Sequence, residues 1–230
     1  MITPMPNNQY ILSLESASDT LGVALSDNND VIAVLNYHKK NLHDRLLADI
    51  TRRMLNDLSL GIDDVAAVAV SAGPGSFTGL RIAAAFAKGL CFGTDRKFIA
   101  VSNLEAYAHA ALPFAKSLKF KYLTAVISSH KNILYFQKFN VADFVNDKIE
   151  MTTIEDFDNM DHSDSLIVGN AQSKVKNNQV IENFARNSSE FIAKYAILLY
   201  NSGKFDNIDT FEPNYIQDFI PKTSLKTLNF

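Results

Sequence analysis

The chain opens with apolar runs broken at short intervals by polar turns. Tyr10 to Leu14 (YILSL) reads as a buried strand and Gly22 to Leu25 (GVAL) as a second, across the polar turn Glu15-Ser16-Ala17-Ser18-Asp19-Thr20. Asp27-Asn28-Asn29-Asp30 carries side chains that hydrogen-bond their own backbone in turns, and Val31 to Tyr37 gives a third strand. Three short strands joined this closely predict an antiparallel meander. From Leu42 the period changes. Leu46, Leu47, Ile50, Met54, Leu55 and Leu58 recur at helical spacing over 42–58, with Gly61 as a stop. Val65 to Val70 is the small-apolar run of a strand covered on both faces. A glycine-rich turn at 73–79 leads into a helix over 78–92, and Phe98 to Val101 adds a strand. Ser102-Asn103-Leu104-Glu105 then predicts a capping box opening another helix.

The order β-β-β-α-β-α-β-α predicts an α/β chain of the actin-like (ribonuclease-H-like, ASKHA) kind, in which a meander is extended by strands arriving through helical crossovers. Farther on, Tyr122 to Ile127, Ile133 to Phe139 and Leu166 to Val168 look like strands. Residues 188–202 look like a helix, with Phe191, Ile192, Tyr195, Ala196, Leu198 and Leu199 on one broad face. Residues 140–165 are polar and acidic and suit loops with one edge strand at most. The expected organisation is a disordered lead-in over 1–9, an actin-like subdomain over 10–108 and a second, degraded one over 109–230, both with mixed sheets.

Composition narrows the function. At 230 residues, 47% hydrophobic and 20% charged, the chain can bury a substantial core. The net charge of −3 is spread evenly, with 9 Lys+Arg against 11 Asp+Glu in residues 1–108. A protein that grips nucleic acid alone carries a basic footprint, which argues against that class. The local cluster Lys116, Lys119 and Lys121 could touch a phosphate, but a solvated face or loop is the preferred account. No stretch approaches the roughly 18 apolar residues of a membrane span, and Met1 to Gln9 lacks the basic and apolar regions of a signal peptide. The single cysteine, Cys91, sits in an apolar helical pattern and reads as a small hydrophobe, pointing to the cytoplasm.

The densest local signal is Ser71-Ala72-Gly73-Pro74-Gly75-Ser76-Phe77-Thr78-Gly79-Leu80-Arg81. A glycine-rich turn between strand and helix presents backbone amides at a helix N-terminus, so Gly73, Gly75, Ser76 and Thr78 are candidate anion or nucleotide contacts. It is not a Walker loop, since no Lys-Ser/Thr follows Gly79, and its GxGxxxG spacing is not the dinucleotide fingerprint. The alternative is structural: Gly75 and Gly79 allow close packing while Ser76 or Thr78 caps the helix. Glu15 and Asp19, four apart in a hairpin turn, could hold Mg²⁺ through water, or satisfy turn amides. Gly79, Ala83 and Ala87 put small residues on one helical face. With Phe86, Leu90 and the apolar Leu46, Ile50 and Met54 of the preceding helix, they form a candidate partner surface. Among His38, His43, His109, His130 and His162 there is no HxxxH, and no nucleophile elbow occurs. No metal site is expected.

The run GPGSFTGLRIAAAFAKGL, preceded by VAAVAVSA and followed by VSNLEAYAHA, resembles the TsaB family, as do the opening ILSLESASDTLGVAL and the downstream HDRLL. Phe211-Glu212-Pro213-Asn214-Tyr215-Ile216 is similar to that family's closing segment. The likeness is dense over 10–112 and 211–219. Between them, Ser128-Ser129-His130-Lys131-Asn132 replaces an Asp-Ala-Arg-type strand end, and Ala72 replaces a common Arg. The resemblance implies two actin-like subdomains and a non-catalytic subunit that pairs through its N-terminal helices with the catalytic TsaD. It thereby supports threonylcarbamoyl transfer to the tRNA adenosine beside the anticodon. It further implies a TsaE-like ATPase partner, a homodimer when alone, tRNA contact only through the complex, no membrane, and ATP and Mg used by the partner complex rather than bound by this chain alone. An actin-like small-molecule kinase or ATPase is the alternative. An M22-type glycoprotease lacks metal ligands here.

Overall fold

The computed structural model describes residues 10–176 and 181–214. Strands β1 (Tyr10–Glu15), β2 (Thr20–Ser26) and β3 (Val31–His38) form the expected meander. Then follow α1 (His43–Asp57), β4 (Val65–Gly73), α2 (Phe77–Cys91), β5 (Lys97–Ser102) and α3 (Asn103–Ser117). The first sheet runs β3-β2-β1-β4-β5; β4 lies parallel to both β1 and β5, so the helices serve as crossovers.

The chain then repeats the plan. β6 (Tyr122–Ser128), β7 (Ile133–Asn140) and β8 (Glu150–Thr153) form a second meander, and β9 (Ser165–Val168) returns parallel to β6. The order β8-β7-β6-β9 is that of the first sheet without its last strand, and the five-residue α4 (Ile154–Asp158) stands where the first lobe has the long α1. The fold is α/β with two actin-like mixed sheets. Even the strand ends correspond: Gly73 closes β4 at φ +107 and Gly169 follows β9 at φ +121, a left-handed backbone that favours glycine.

Hydrophobic burial explains the layering. β1, β2 and nearly all of β4 are buried, as continuous apolar strands must be when both faces are covered. One face packs on α1 and α2 through Leu47, Ile50, Met54, Ala83, Ala87 and Cys91. The other packs on α3 and α5 (Ser189–Asn201), in a core that also takes in Leu123, Phe139 and Leu166 of the second sheet. α5, from the second half of the chain, therefore lies against the first sheet. α3 touches both sheets, and position 108 falls inside it.

After α5 the chain follows the free edge of β5. Asp206 N–H donates to Phe98 O (2.9 Å), Ala100 N–H donates to Asp206 Oδ2 (2.7 Å), and the Phe211 ring packs tilted against Phe98, 4.8 Å between centroids. Asn214 N–H reaches Ala72 O at 2.8 Å, so an exposed sheet edge is covered. Residues 1–9 and 215–230, which include the lead-in and part of the closing segment, lie outside the described residues. The capping box is only half formed: Ser102 Oγ accepts from Glu105 N–H at 3.5 Å, while the Glu105 carboxylate accepts from Asn146 Nδ2 at 3.2 Å.

Candidate functional site

The hairpin turn between β1 and β2 and the glycine turn after β4 meet at the carboxyl end of the parallel strands, where open α/β sheets place their ligands. Here they bind each other. Ser76 N–H donates to Ala17 O (2.6 Å), Ser16 N–H donates to Ser71 Oγ (3.2 Å), and the Ser16 hydroxyl donates to Gly79 O. A Cβ on Gly79 would sit 1.9 Å from Ser16 O, and one on Gly75 would sit 2.4 Å from Ala17 O. Those glycines therefore exist for the approach of the chain's own backbone. Ser76 is the N-cap of α2, accepting from Gly79 N–H at 3.3 Å.

Above this junction a cleft of 1140 Å³ opens between the two lobes. The first lobe contributes Asp19, His38, His43, Gly75, Ser76, Thr78 and Gly79; the second contributes Ser129, His130, Lys174 and Arg186. Asp19 pairs with Lys40 at 3.4 Å, both largely exposed. Burial, and then the Arg186 charge, holds the His38 imidazole below its usual pKa.

Beneath the cleft floor Glu15 is 1% exposed. Its carboxyl accepts from Ala17 N–H (2.7 Å), Asn103 Nδ2 (3.0 Å) and Asn187 Nδ2 (3.2 Å). Asn103 Oδ1 in turn accepts from Gly73 N–H, and Asn187 Oδ1 from the Tyr107 hydroxyl and from Asn170 Nδ2. Each amide is thus fixed by what its oxygen receives. The chain of bonds runs on to Ser128 N–H, which donates to Asn170 Oδ1, so it ties β1, β4, α3 and the start of α5 to the second sheet. Burial pushes the Glu15 carboxyl up to about 8 against the three donors that pull it down. Burial, and then the Glu15 charge, raises the Tyr107 phenol.

The structure brings Asp19, Gly75, Ser76 and Thr78 together at the cleft and leaves Glu15 and Gly73 beneath it. Glu15 and Asp19 do not form a pair facing a common ligand, and among the described residues no cluster of three metal-ligating side chains occurs. The partner surface needs correction. Ile50, Met54, Gly79, Ala83 and Ala87 are buried, because the apolar stripe of each helix is what attaches it to its own sheet. Leu46, Phe86 and Leu90 are half-buried, and the outward row of α2 is Arg81, Ala85 and Gly89, followed by the C-cap Phe92, 84% exposed. Sequence reasoning missed Asn103, Asn170 and Asn187; the only hint was a polar residue directly after the Ser102 cap.

The family model described as TsaD: tRNA N6-adenosine threonylcarbamoyltransferase matches residues 36–204. The chain belongs to this family. Among its relatives are two proteins named TsaB. The tRNA threonylcarbamoyladenosine biosynthesis protein TsaB of Haemophilus influenzae is 32% identical over 131 residues, covering 57% of this chain and 54% of that protein. TsaB of Bacillus subtilis is 38% identical over 99 residues, covering 43% of each. The chain spans about half the length of the curated relatives it matches. In fold, YeaZ from Pseudomonas aeruginosa superposes with a TM-score of 0.75 at 21% identity, covering 90% of this chain and 99% of that one.

Proposed function

We propose that this chain is a non-catalytic subunit that pairs with a TsaD-like catalytic subunit and supports threonylcarbamoyl transfer to tRNA adenosine. The observation that carries the reading is the closed junction of the two turns. In an actin-like phosphotransferase these turns would face a phosphate, whereas here Ser76 N–H is taken by Ala17 O and the carbonyls of Ser16 and Ala17 crowd Gly79 and Gly75. Kinship with TsaB supports the same role. On this reading ATP and Mg belong to the partner complex, a TsaE-like ATPase joins it, the free chain self-associates, and all of them work in the cytoplasm. Among the described residues no helix is long and apolar enough to cross a membrane.

The pairing surface is the outer side of α1 and α2: Leu46, Phe86 and Leu90 at its margin, with Ala85, Gly89 and Phe92 at its centre. Small residues there let a partner helix approach closely while Phe92 supplies an anchor. Size-exclusion chromatography with the TsaD-like subunit, beside calorimetry with Mg-ATP on the chain alone, tests the assignment. A complex with no ATP heat is expected. Tight ATP binding with turnover would instead make the chain an enzyme.

A further inference from the structure

Between Glu105 and Asp143 the chain holds five lysines and no carboxylate, whereas 143–164 holds eight acids and one lysine. The fold gathers four of the five. Lys116 lies in the last turn of α3, and Lys119, whose N–H donates to Lys116 O, sits in the turn that follows at φ +61. Lys121 precedes β6, and Lys138 comes across from β7, where it pairs with Thr124. Lys138 Nζ lies 4.1 Å and Lys121 Nζ 5.1 Å from the centroid of one ring, that of half-buried Tyr122.

Lys116, Lys119 and Lys121 are exposed, and among the described residues none of the four lysines enters an ion pair. Acids beside them include Asp164, whose carbonyl accepts from Tyr122 N–H, Asp147, whose N–H donates to Lys138 O (2.9 Å), and Asp161. Asp161 is held below the usual carboxylate range chiefly by hydrogen bonds from Ser163 and more weakly by the charges of Lys138 and His162. The negative end of the α3 dipole accounts for Lys116. It does not account for two ammonium groups set over an aromatic ring at the start of the next strand.

We propose that Lys116, Lys119, Lys121 and Lys138 around Tyr122 form a docking surface for the sugar-phosphate backbone of tRNA. Ammonium groups pair with phosphates, and the Tyr122 ring holds two of them together over its face, so an RNA backbone meets charges already gathered. That the RNA is tRNA rests on the proposed function. Tyr122 stands at the far end of β6 from the cleft, about 20 Å along the strand, so RNA held here leaves the cleft open.

The test uses the full chain, alone and mixed with its TsaD-like subunit, and fluorescence anisotropy with tRNA between about 50 and 200 mM salt. The double variant Lys119→Glu/Lys121→Glu is expected to lose about tenfold or more in affinity. Its dependence of log K on log salt should flatten by about 0.7 to 0.9 for each phosphate no longer neutralised. Tyr122→Leu is expected to weaken binding severalfold at an unchanged salt slope, and Lys131→Glu, from the same acid-free run but at the cleft end, should leave both unchanged. Unaltered affinity and slope in the double variant overturn the proposal, as does equal displacement of tRNA by polyglutamate, which would mark the patch as a site for an acidic protein. Failure of the wild-type subunits to co-elute would overturn the proposed function instead. The patch then stands if the chain alone binds tRNA and the double variant does not, and falls if the wild-type chain binds no tRNA in either form.

Discussion

The two lobes repeat one plan, yet their first hairpin turns end in opposite conditions. In the first lobe the turn after β1 is pressed onto the glycine turn, with Ser16 and Ala17 carbonyls where any larger residue at 75 or 79 would project. In the second lobe the turn after β6, Ser129 to Asn132, meets the cleft through Ser129 and His130; Asn132 O accepts from Ile154 N–H (2.8 Å), and further bonds brace its base. There Ser128 N–H donates to Asn170 Oδ1 (2.7 Å) and Lys174 Nζ donates to Ser128 Oγ (2.6 Å). One plan therefore yields one turn whose backbone is locked onto the glycine turn and one bonded within its own lobe. The sealed turn lies on the lobe whose helices are proposed to meet a partner, where a fixed platform is needed more than a pliable loop.

The sharpest way to break this contrast is Gly79→Ala. Its Cβ would meet backbone, which cannot swing aside as a side chain could, so the loss should exceed about 3 kcal/mol by urea denaturation. Gly89→Ala on the same helix meets nothing within 4 Å and should be neutral or stabilising by up to about 1 kcal/mol. The two faces of α2 give the next test. Ala83→Arg buries a charge at a site of 0% exposure and should cost several kcal/mol, whereas Ala85→Arg should change stability by under about 0.5 kcal/mol while abolishing co-elution with the TsaD-like subunit.

The Glu15 junction sharpens the comparison through pH. Its carboxyl titrates near 8 in the folded chain and near 4.5 when unfolded, so the folded state binds the extra proton between those values. Stability from this group is complete below about pH 4.5 and is lost as pH rises through 8, by up to about 5 kcal/mol. Denaturation midpoints across that range should fall in the wild type and stay flatter in Glu15→Gln. Asp206→Ala, which removes the acceptor for Ala100 N–H, should cost about 1 kcal/mol in the same assay. Lys40→Ala, breaking an exposed pair with Asp19, should cost less than about 0.5 kcal/mol.

Strand and helix order was legible because period 2 and period 3.6 are imposed by burial, and burial dominates both lobes. Residues 140–165 suited one edge strand, and β8 is that strand; α4 was hidden because five residues span too little of a helical period to register. The orientation of α2 was not legible, for a physical reason. Gly79, Ala83, Ala84, Ala85, Ala87 and Gly89 put small residues on both the covered and the outward face, so apart from Arg81 and Lys88 little contrast in hydrophobicity separates them. In α1 the apolar stripe suggests a surface for a partner, although it is the helix's own attachment to the sheet. The Asn103, Asn170 and Asn187 bonds were invisible because they depend on four segments far apart in sequence that meet only once the fold is complete.

The strap that runs beside β5 has a consequence for biosynthesis. Emerging from the ribosome, the N-terminal lobe has all five of its strands long before residues 206–214 exist, so throughout elongation β5 presents a bare edge to other nascent chains. That lobe also waits for α5, made almost as late, to cover one of its faces. Maturation of the first lobe is thus deferred until residues 189–214 have been made, and any product cut short before Asp206 inherits the sticky edge permanently.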